Sequence, residues 1–202
     1  MKAIYYPDVP FSSLMLPHIY QEIFFDRIYR GVKKDGVMLD IGANIGEVTR
    51  FFQPAAKKIY AVEPSPLEFE ALKENKEYNG WDNVEVFNLA ISNKNGEMGF
   101  SVTDGNRTGS HLAPDGTTRV QTKTLSTFLQ ENSIEHVDFL KLDVEGAERG
   151  IFMADDFPAD KIDSILVEFH DGEWVQLSKR LVQLGYHVET RQTAAIVCLF
   201  TR

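Results

Sequence analysis

Asp40-Ile41-Gly42-Ala43-Asn44-Ile45-Gly46 closes a short apolar run that begins at Val37, and Glu63 closes a second such run, Ile59 to Val62. Glycine at position 42 permits a turn forbidden to residues with a Cβ and lets a ligand approach the backbone closely. In an open α/β sheet a ligand lies across the carboxyl ends of the strands, where the strand order reverses. An acidic side chain such as Glu63 at that edge can accept both ribose hydroxyls of an adenosine moiety. Two cofactors suit this arrangement. A dinucleotide fingerprint requires glycines at positions 42, 44 and 47, so that a pyrophosphate can sit on open helix amides. This chain has Gly42, Asn44 and Glu47, and Glu47 sets a negative charge where the pyrophosphate would lie. S-adenosylmethionine has no phosphate and carries a sulfonium and an ammonium, which Asp40 at the strand terminus suits. The residues point to the methyl donor.

A second constellation is Lys141-Leu142-Asp143-Val144-Glu145-Gly146-Ala147-Glu148, with Glu168 and His170 further on. Asp143 ends a strand beside the first and faces the reactive end of a bound donor. An alcohol acceptor is a poor nucleophile until its proton has somewhere to go, so a base within hydrogen-bond reach assists transfer. Asp143, Glu145 and the pair Glu168 and His170 are the candidates, the last two pointing the same way from one strand. His170, which titrates near neutrality when unperturbed, is the first choice of base. Plainer readings stand beside these: Asp143 as a helix N-cap, Glu145 as a first-turn helix residue favoured by the macrodipole, His170 as an ordinary strand-end histidine. Asp143, Glu168 and His170 also echo the magnesium ligands of catechol-type methyltransferases. Oxygen-rich sites suit magnesium but imidazole suits it poorly, and no metal is expected.

The elements that must position these groups alternate between strand and helix from Val37 onward, the pattern of a parallel α/β sheet. Strands are expected at 37–41, 59–62, 84–90, 137–143 and 162–169. Asn44 and Glu47 suggest a capping box for a helix that stops at Pro54, and Ser65, Pro66 and Glu68 suggest another for a helix running to about Tyr78. Helices are also expected at 124–130, at 145–153 and from Trp174 to Leu184, with Gly185 closing the last. Met98 to Thr103 and Arg119 to Lys123 read as strands around a loop from Asp104 to Thr118, long enough to be a lid or binding element. Arg107, Ser110 and His111 on that loop are expected substrate contacts, together with Glu168. Tyr186 to Thr190 and Ala194 to Phe200 form a terminal hairpin. Ahead of the sheet, Leu16, Ile19, Ile23 and Phe24 mark an amino-terminal helix ending near Gly31. Five strands joined by helices and then a terminal hairpin resemble the sheet of class I methyltransferases, which implies a Rossmann-like fold: a mostly parallel seven-stranded sheet with an antiparallel last strand and helices on both faces. The expected division is a helical extension at 1–35 packed on a core at 36–202, the core carrying a hairpin and loop insertion at about 96–123.

The 202 residues, 43% hydrophobic and 25% charged, exclude disordered and fibrous classes. A net charge of −9 repels phosphate backbones, so a nucleic-acid partner is not expected. One cysteine, Cys198, permits no intrachain disulfide and no thiolate cluster for zinc. No apolar stretch reaches the ~18 residues of a membrane span, and no signal peptide is read at the amino terminus, so a cytoplasmic location is expected. Oligomeric state is left open.

The Asp40–Gly46 turn, Val62-Glu63-Pro64, Ala90-Ile91-Ser92 and Lys141–Glu148 together resemble the FkbM family of S-adenosylmethionine-dependent methyltransferases, over about residues 36 to 170. The resemblance implies methylation of a hydroxyl oxygen on a sugar or small natural product. Cofactor contacts are then expected from Asp40, Gly42, Ala43, Asn44, Gly46, Glu63, Pro64, Ala90, Ile91 and Asp143, with Ala90 and Ile91 bordering the adenine. Three rivals remain: a methyltransferase of RNA or protein, a nicotinamide-dependent oxidoreductase, and a non-catalytic cofactor-binding protein.

Overall fold

The computed structural model describes residues 28–29, 32–102, 109–170, 172, 174–192 and 196–202. The expected amino-terminal helix and Arg107 lie outside them. The backbone of the fold is a seven-stranded sheet made of β1 (Val37–Ile41), β2 (Lys58–Val62), β3 (Val84–Phe87), β8 (Phe139–Leu142), β9 (Ser164–Phe169), β10 (His187–Gln192) and β11 (Ile196–Thr201). Its order is β10-β11-β9-β8-β1-β2-β3. β11 lies between β9 and β10 and runs antiparallel to both, so the expected terminal hairpin is present and its last strand inserts into the sheet. The chain walks outward from β1 through β2 to β3, then crosses to β8 on the other side of β1. The strand order therefore reverses at the β1–β8 pair, the place where such sheets bind ligands.

Alternate residues of each strand face opposite sides, and the core divides accordingly. Leu39, Ile41, Leu140, Leu142, Ile165 and Val167 pack on one face under α3 (Leu125–Glu131), α4 (Glu148–Phe152) and α5 (Trp174–Gln183). Met38, Ile59, Ala61 and Phe139 pack on the other with Phe52 of α1 (Glu47–Phe52) and Leu72 of α2 (Pro66–Asn79), joined by Ile28, Tyr29 and Val32. Leu177 and Leu181 bury the apolar stripe of α5, and Gly185 follows it with φ 96°. Among the described residues no helix is long and apolar enough to cross a membrane.

Five local expectations are corrected. Asn44 does not cap α1: Gly46, in the left-handed region at φ 98°, occupies the N-cap, and a Cβ there would fall 2.8 Å from Leu72. Ser65 does cap α2 by position, but no capping box closes. Its amide donates to Glu63 Oε1 at 2.8 Å, and its hydroxyl donates to the Glu68 carboxylate. The strand expected over 84–90 divides into β3 and β4 (Ala90–Ile91), because Asn88 Nδ2 bends the chain by donating to the carbonyls of Glu63 (2.9 Å) and Pro64 (3.0 Å). β4 then joins a second sheet, β4-β7-β5-β6, with β5 (Gly96–Ser101), β6 (His111–Leu112) and β7 (Thr118–Lys123). β6 falls within the stretch expected as loop, paired with β5. Lastly, the helix expected from Glu145 starts only at Glu148, capped by Ala147.

Candidate functional site

A cleft of about 700 Å³, counted out to its open mouth, lies over the carboxyl ends of β1, β2 and β8. Its floor is the turn after β1. Gly42 has φ 74°, and a Cβ on it would stand 1.7 Å from the carbonyl oxygen of Asp143, so only glycine lets the two strand ends come together here. The Gly42 and Ala43 amides both donate to Val62 O at 3.0 Å, locking the turn onto β2. Of the expected cofactor residues, Gly42, Asn44, Glu63, Pro64, Ala90, Ile91 and Asp143 line the cleft. Ala43 and Gly46 shape the turn from behind.

Glu63 is buried, and its oxygens accept one amide each: Oε1 from Ser65 and Oε2 from Asn44, both at 2.8 Å. A carboxylate offers about four lone-pair sites, so two remain for hydroxyl donors. Burial lifts its pKa to about 7, against the lowering effect of the two amides. Asn44 and Glu145 are both non-glycine residues held at φ 51°, and both line the cleft. Such strained backbone concentrates at functional sites.

Asp40 does not reach the cleft. It shares the strand face of Met38, so its carboxylate points under α1, where Thr49 Oγ1 donates to Oδ2 at 2.6 Å. Its register partner Lys141 brings an ammonium to 3.7 Å from Oδ1. The Lys141 Nζ donates to Gly42 O at 2.6 Å and lies 3.3 Å from Asp143 Oδ2. Burial works against this charge, but Asp143 and Asp40 outweigh it and hold the ammonium above the usual lysine range.

On the far side, the turn after β8 and the end of β9 bring four carboxylates around His170. Nδ1 donates to Glu148 Oε1 at 2.7 Å, while Nε2 lies 3.5 Å from Asp143 Oδ1, 3.5 Å from Glu145 Oε2 and 3.9 Å from Glu168 Oε1. Burial opposes the imidazolium, yet the Glu148 hydrogen bond and the charges of Asp143 and Glu145 raise its pKa to about 9. With a pKa of about 9 the ring holds its proton at neutral pH, which makes His170, the expected first choice of base, a weaker candidate than its neighbours. Glu145, lifted to about 7 chiefly by burial, sits on the cleft wall at the pKa that a base needs. It precedes α4, and Ala147 caps that helix, so neither plainer reading of Glu145 or Asp143 as a helix-start residue applies. Ligand atoms of Asp143, Glu168 and His170 lie within 4.8 Å of one another, and a divalent cation there would have to displace the His170 proton.

Ser110 lines the cleft with Leu112 and Phe100, whereas His111, between the first two on the chain, turns outward with Nδ1 3.0 Å from Gly109 O. Ser65, Glu68 and Leu89 also line it and were not expected to. The only signal for Glu68 was a capping pattern, and the lysine interrupting the apolar run of β8 was the overlooked signal for Lys141. Glu63, Glu68, Asp143 and Glu145 put four acids on the wall, and among the described lining residues there is no lysine or arginine. That wall fits a cationic adenosyl ligand and disfavours a pyrophosphate.

Sheet order and cleft together define a Rossmann-like α/β fold with its ligand cleft at the strand-order reversal. The profile of the Methyltransferase FkbM domain matches residues 40–192, and the chain belongs to that family. Among its relatives, 2-O-methyltransferase NoeI of Sinorhizobium fredii is 29% identical over 162 residues, covering 70% of this chain and 66% of that protein. The 31-O-demethyl-FK506 methyltransferase FkbM of Streptomyces tacrolimicus is 26% identical over 194 residues, covering 76% and 74%. The crystal structure of methyltransferase FkbM from Methylobacillus flagellatus shares the fold with a TM-score of 0.62 at 15% identity, covering 91% of this chain and 48% of that one. The chain thus spans about two thirds of NoeI and about half of the solved protein.

Proposed function

We propose that this chain transfers a methyl group from S-adenosylmethionine to a hydroxyl oxygen of a sugar or small natural product. The observation that carries the reading is the cleft wall with four carboxylates and no cationic side chain among its described residues. The bound donor supplies a methyl carbon activated by an adjacent sulfonium. Glu63 receives the ribose hydroxyls on its free lone pairs, Gly42 and Asn44 let the backbone close on the ligand, and Pro64, Ala90 and Ile91 border the adenine. Asp143 faces the charged end of the donor, a role the sequence had suggested for Asp40. Glu145 accepts the hydroxyl proton of the acceptor as the new oxygen–carbon bond forms. His170 stays charged and holds Glu145 and Asp143 in place. Ser110 and Glu168 flank the acceptor side, with Arg107 proposed there from sequence alone.

The acceptor class rests on the resemblance to NoeI, a 2-O-methyltransferase, and to the FK506 enzyme. The net charge of −9 supports a small neutral acceptor over RNA. The extension at 1–35 and the insertion at about 96–123 are proposed to choose that acceptor, in a cytoplasmic setting. Calorimetry with S-adenosylmethionine, S-adenosylhomocysteine and NAD tests the donor, and only the first two should give heat. Labelled methyl transfer to a panel of methyl glycosides and macrolide alcohols, with a base-stable ether as product, tests the acceptor. No heat with either sulfur ligand would overturn the reading.

A further inference from the structure

We propose that Lys141, which lies behind the cleft wall, is the positioning residue that sets the geometry of the donor site. The inference rests on the reading of the cleft as a donor site. Every residue of β8 is buried, and Lys141 shares a face with Phe139, which packs in the α1-side core. An aliphatic side chain at 141 would extend that core at lower desolvation cost, and a buried ion pair is weak evidence for stability. What the ammonium does instead is geometric. From one point it ties two neighbouring strand ends together: Asp40 and the carbonyl of Gly42 on β1 and its turn, and the carboxylate of Asp143 at the end of its own strand. Asp40 is fixed in turn by Thr49 of α1 through Oδ2, and its Oδ1, with no hydrogen-bond partner among the described residues, faces the Lys141 ammonium at 3.7 Å.

The Gly42 carbonyl is thereby drawn inward, and Asp143 is kept at the junction of floor and wall. Without the ammonium, the turn and the end of β8 lose their common anchor, and Asp143 relaxes toward His170, 3.5 Å from its other oxygen. Lys141 touches neither donor nor acceptor in this arrangement and acts through Gly42 and Asp143.

Lys141→Met alone leaves Asp40 buried without a countercharge and can fail to fold for that reason. The informative variant is therefore Asp40→Asn/Lys141→Met, which removes both charges together. It is expected to keep a near-UV circular dichroism spectrum and cooperative melting like the unmutated chain, while its dissociation constant for S-adenosylmethionine rises tenfold or more. On the unmutated protein, the 15N-detected Lys141 ammonium resonance, slow to exchange because buried, is expected to shift when S-adenosylhomocysteine binds. A folded double variant that binds the donor within twofold of the unmutated chain, or an ammonium resonance unmoved by saturating S-adenosylhomocysteine, would overturn the assignment. If the unmutated protein itself binds no donor, it is the reading of the cleft that fails.

Discussion

Glu63→Gln separates the ionisation of the donor site from its shape. The carboxyl is lifted from 4.5 to about 7 by burial, and two backbone amides already occupy one lone pair on each oxygen. Only the ionised form accepts two more hydroxyl donors, so apparent affinity scales with the ionised fraction, which is about one eleventh at pH 6 and ten elevenths at pH 8. S-adenosylmethionine should therefore bind about tenfold more tightly at pH 8 than at pH 6. Glutamine has the same length but keeps one acceptor oxygen, and its NH2 group meets an amide donor. The variant should bind weakly and lose that tenfold slope. The free protein responds in the opposite sense. A carboxyl raised on folding favours the folded state below its unfolded pKa and loses that contribution as pH climbs from there to about 7, about 3 kcal/mol in all, of which roughly 1 kcal/mol falls between pH 6 and 8. Titration calorimetry from pH 6 to 8, paired with melting of both proteins without ligand, measures each effect. An affinity independent of pH in the unmutated chain, or an undiminished slope in Glu63→Gln, refutes the reasoning.

Other outcomes can be checked in parallel. Gly42→Ala places a Cβ 1.7 Å from the Asp143 carbonyl in a left-handed conformation. It should cost roughly 3 kcal/mol or more in urea unfolding and abolish donor binding; donor affinity like that of the unmutated chain would contradict this. Glu145→Gln should lower kcat by about 10²–10⁴-fold with donor affinity nearly unchanged. Because the Glu145 pKa lies at about 7, the rate should rise as pH passes that value, and the variant should lose that limb. A variant that keeps the limb would move the proton acceptor elsewhere. Dialysis against EDTA should leave turnover unchanged, since a cation at Asp143, Glu168 and His170 would have to expel a proton held with a pKa of about 9. Activity lost to the chelator and restored by magnesium would reverse that.

Strand and helix order and the terminal hairpin were legible because they follow from periodicity and turn chemistry along the chain, whereas the reversal at β1 and the insertion of β11 were expectations carried by the fold class. What the sequence hid was direction and company. Asp40 has the right residue type at the right strand end, but strand parity turns it under α1, and with apolar residues on both faces of β1 the sequence does not say which face that helix covers. His170 looks like a neutral base in isolation. Its charge is fixed by Glu148, Asp143 and Glu145, brought to it by the pairing of β8 with β9 and the packing of α4, and no local pattern encodes that meeting. The break between β3 and β4 likewise depends on Asn88 reaching carbonyls some twenty-five residues earlier, a contact made only once the sheet exists.

The second sheet is a separate piece of architecture that meets the nucleoside cradle mainly through Ala90 and Ile91. Phe100, Ser110 and Leu112 hang from it over the opposite side of the cleft. Under the proposed function, exchanging the span from Gly96 to Val120 for its counterpart in another family member is expected to change which alcohol is methylated while donor affinity stays within a few fold.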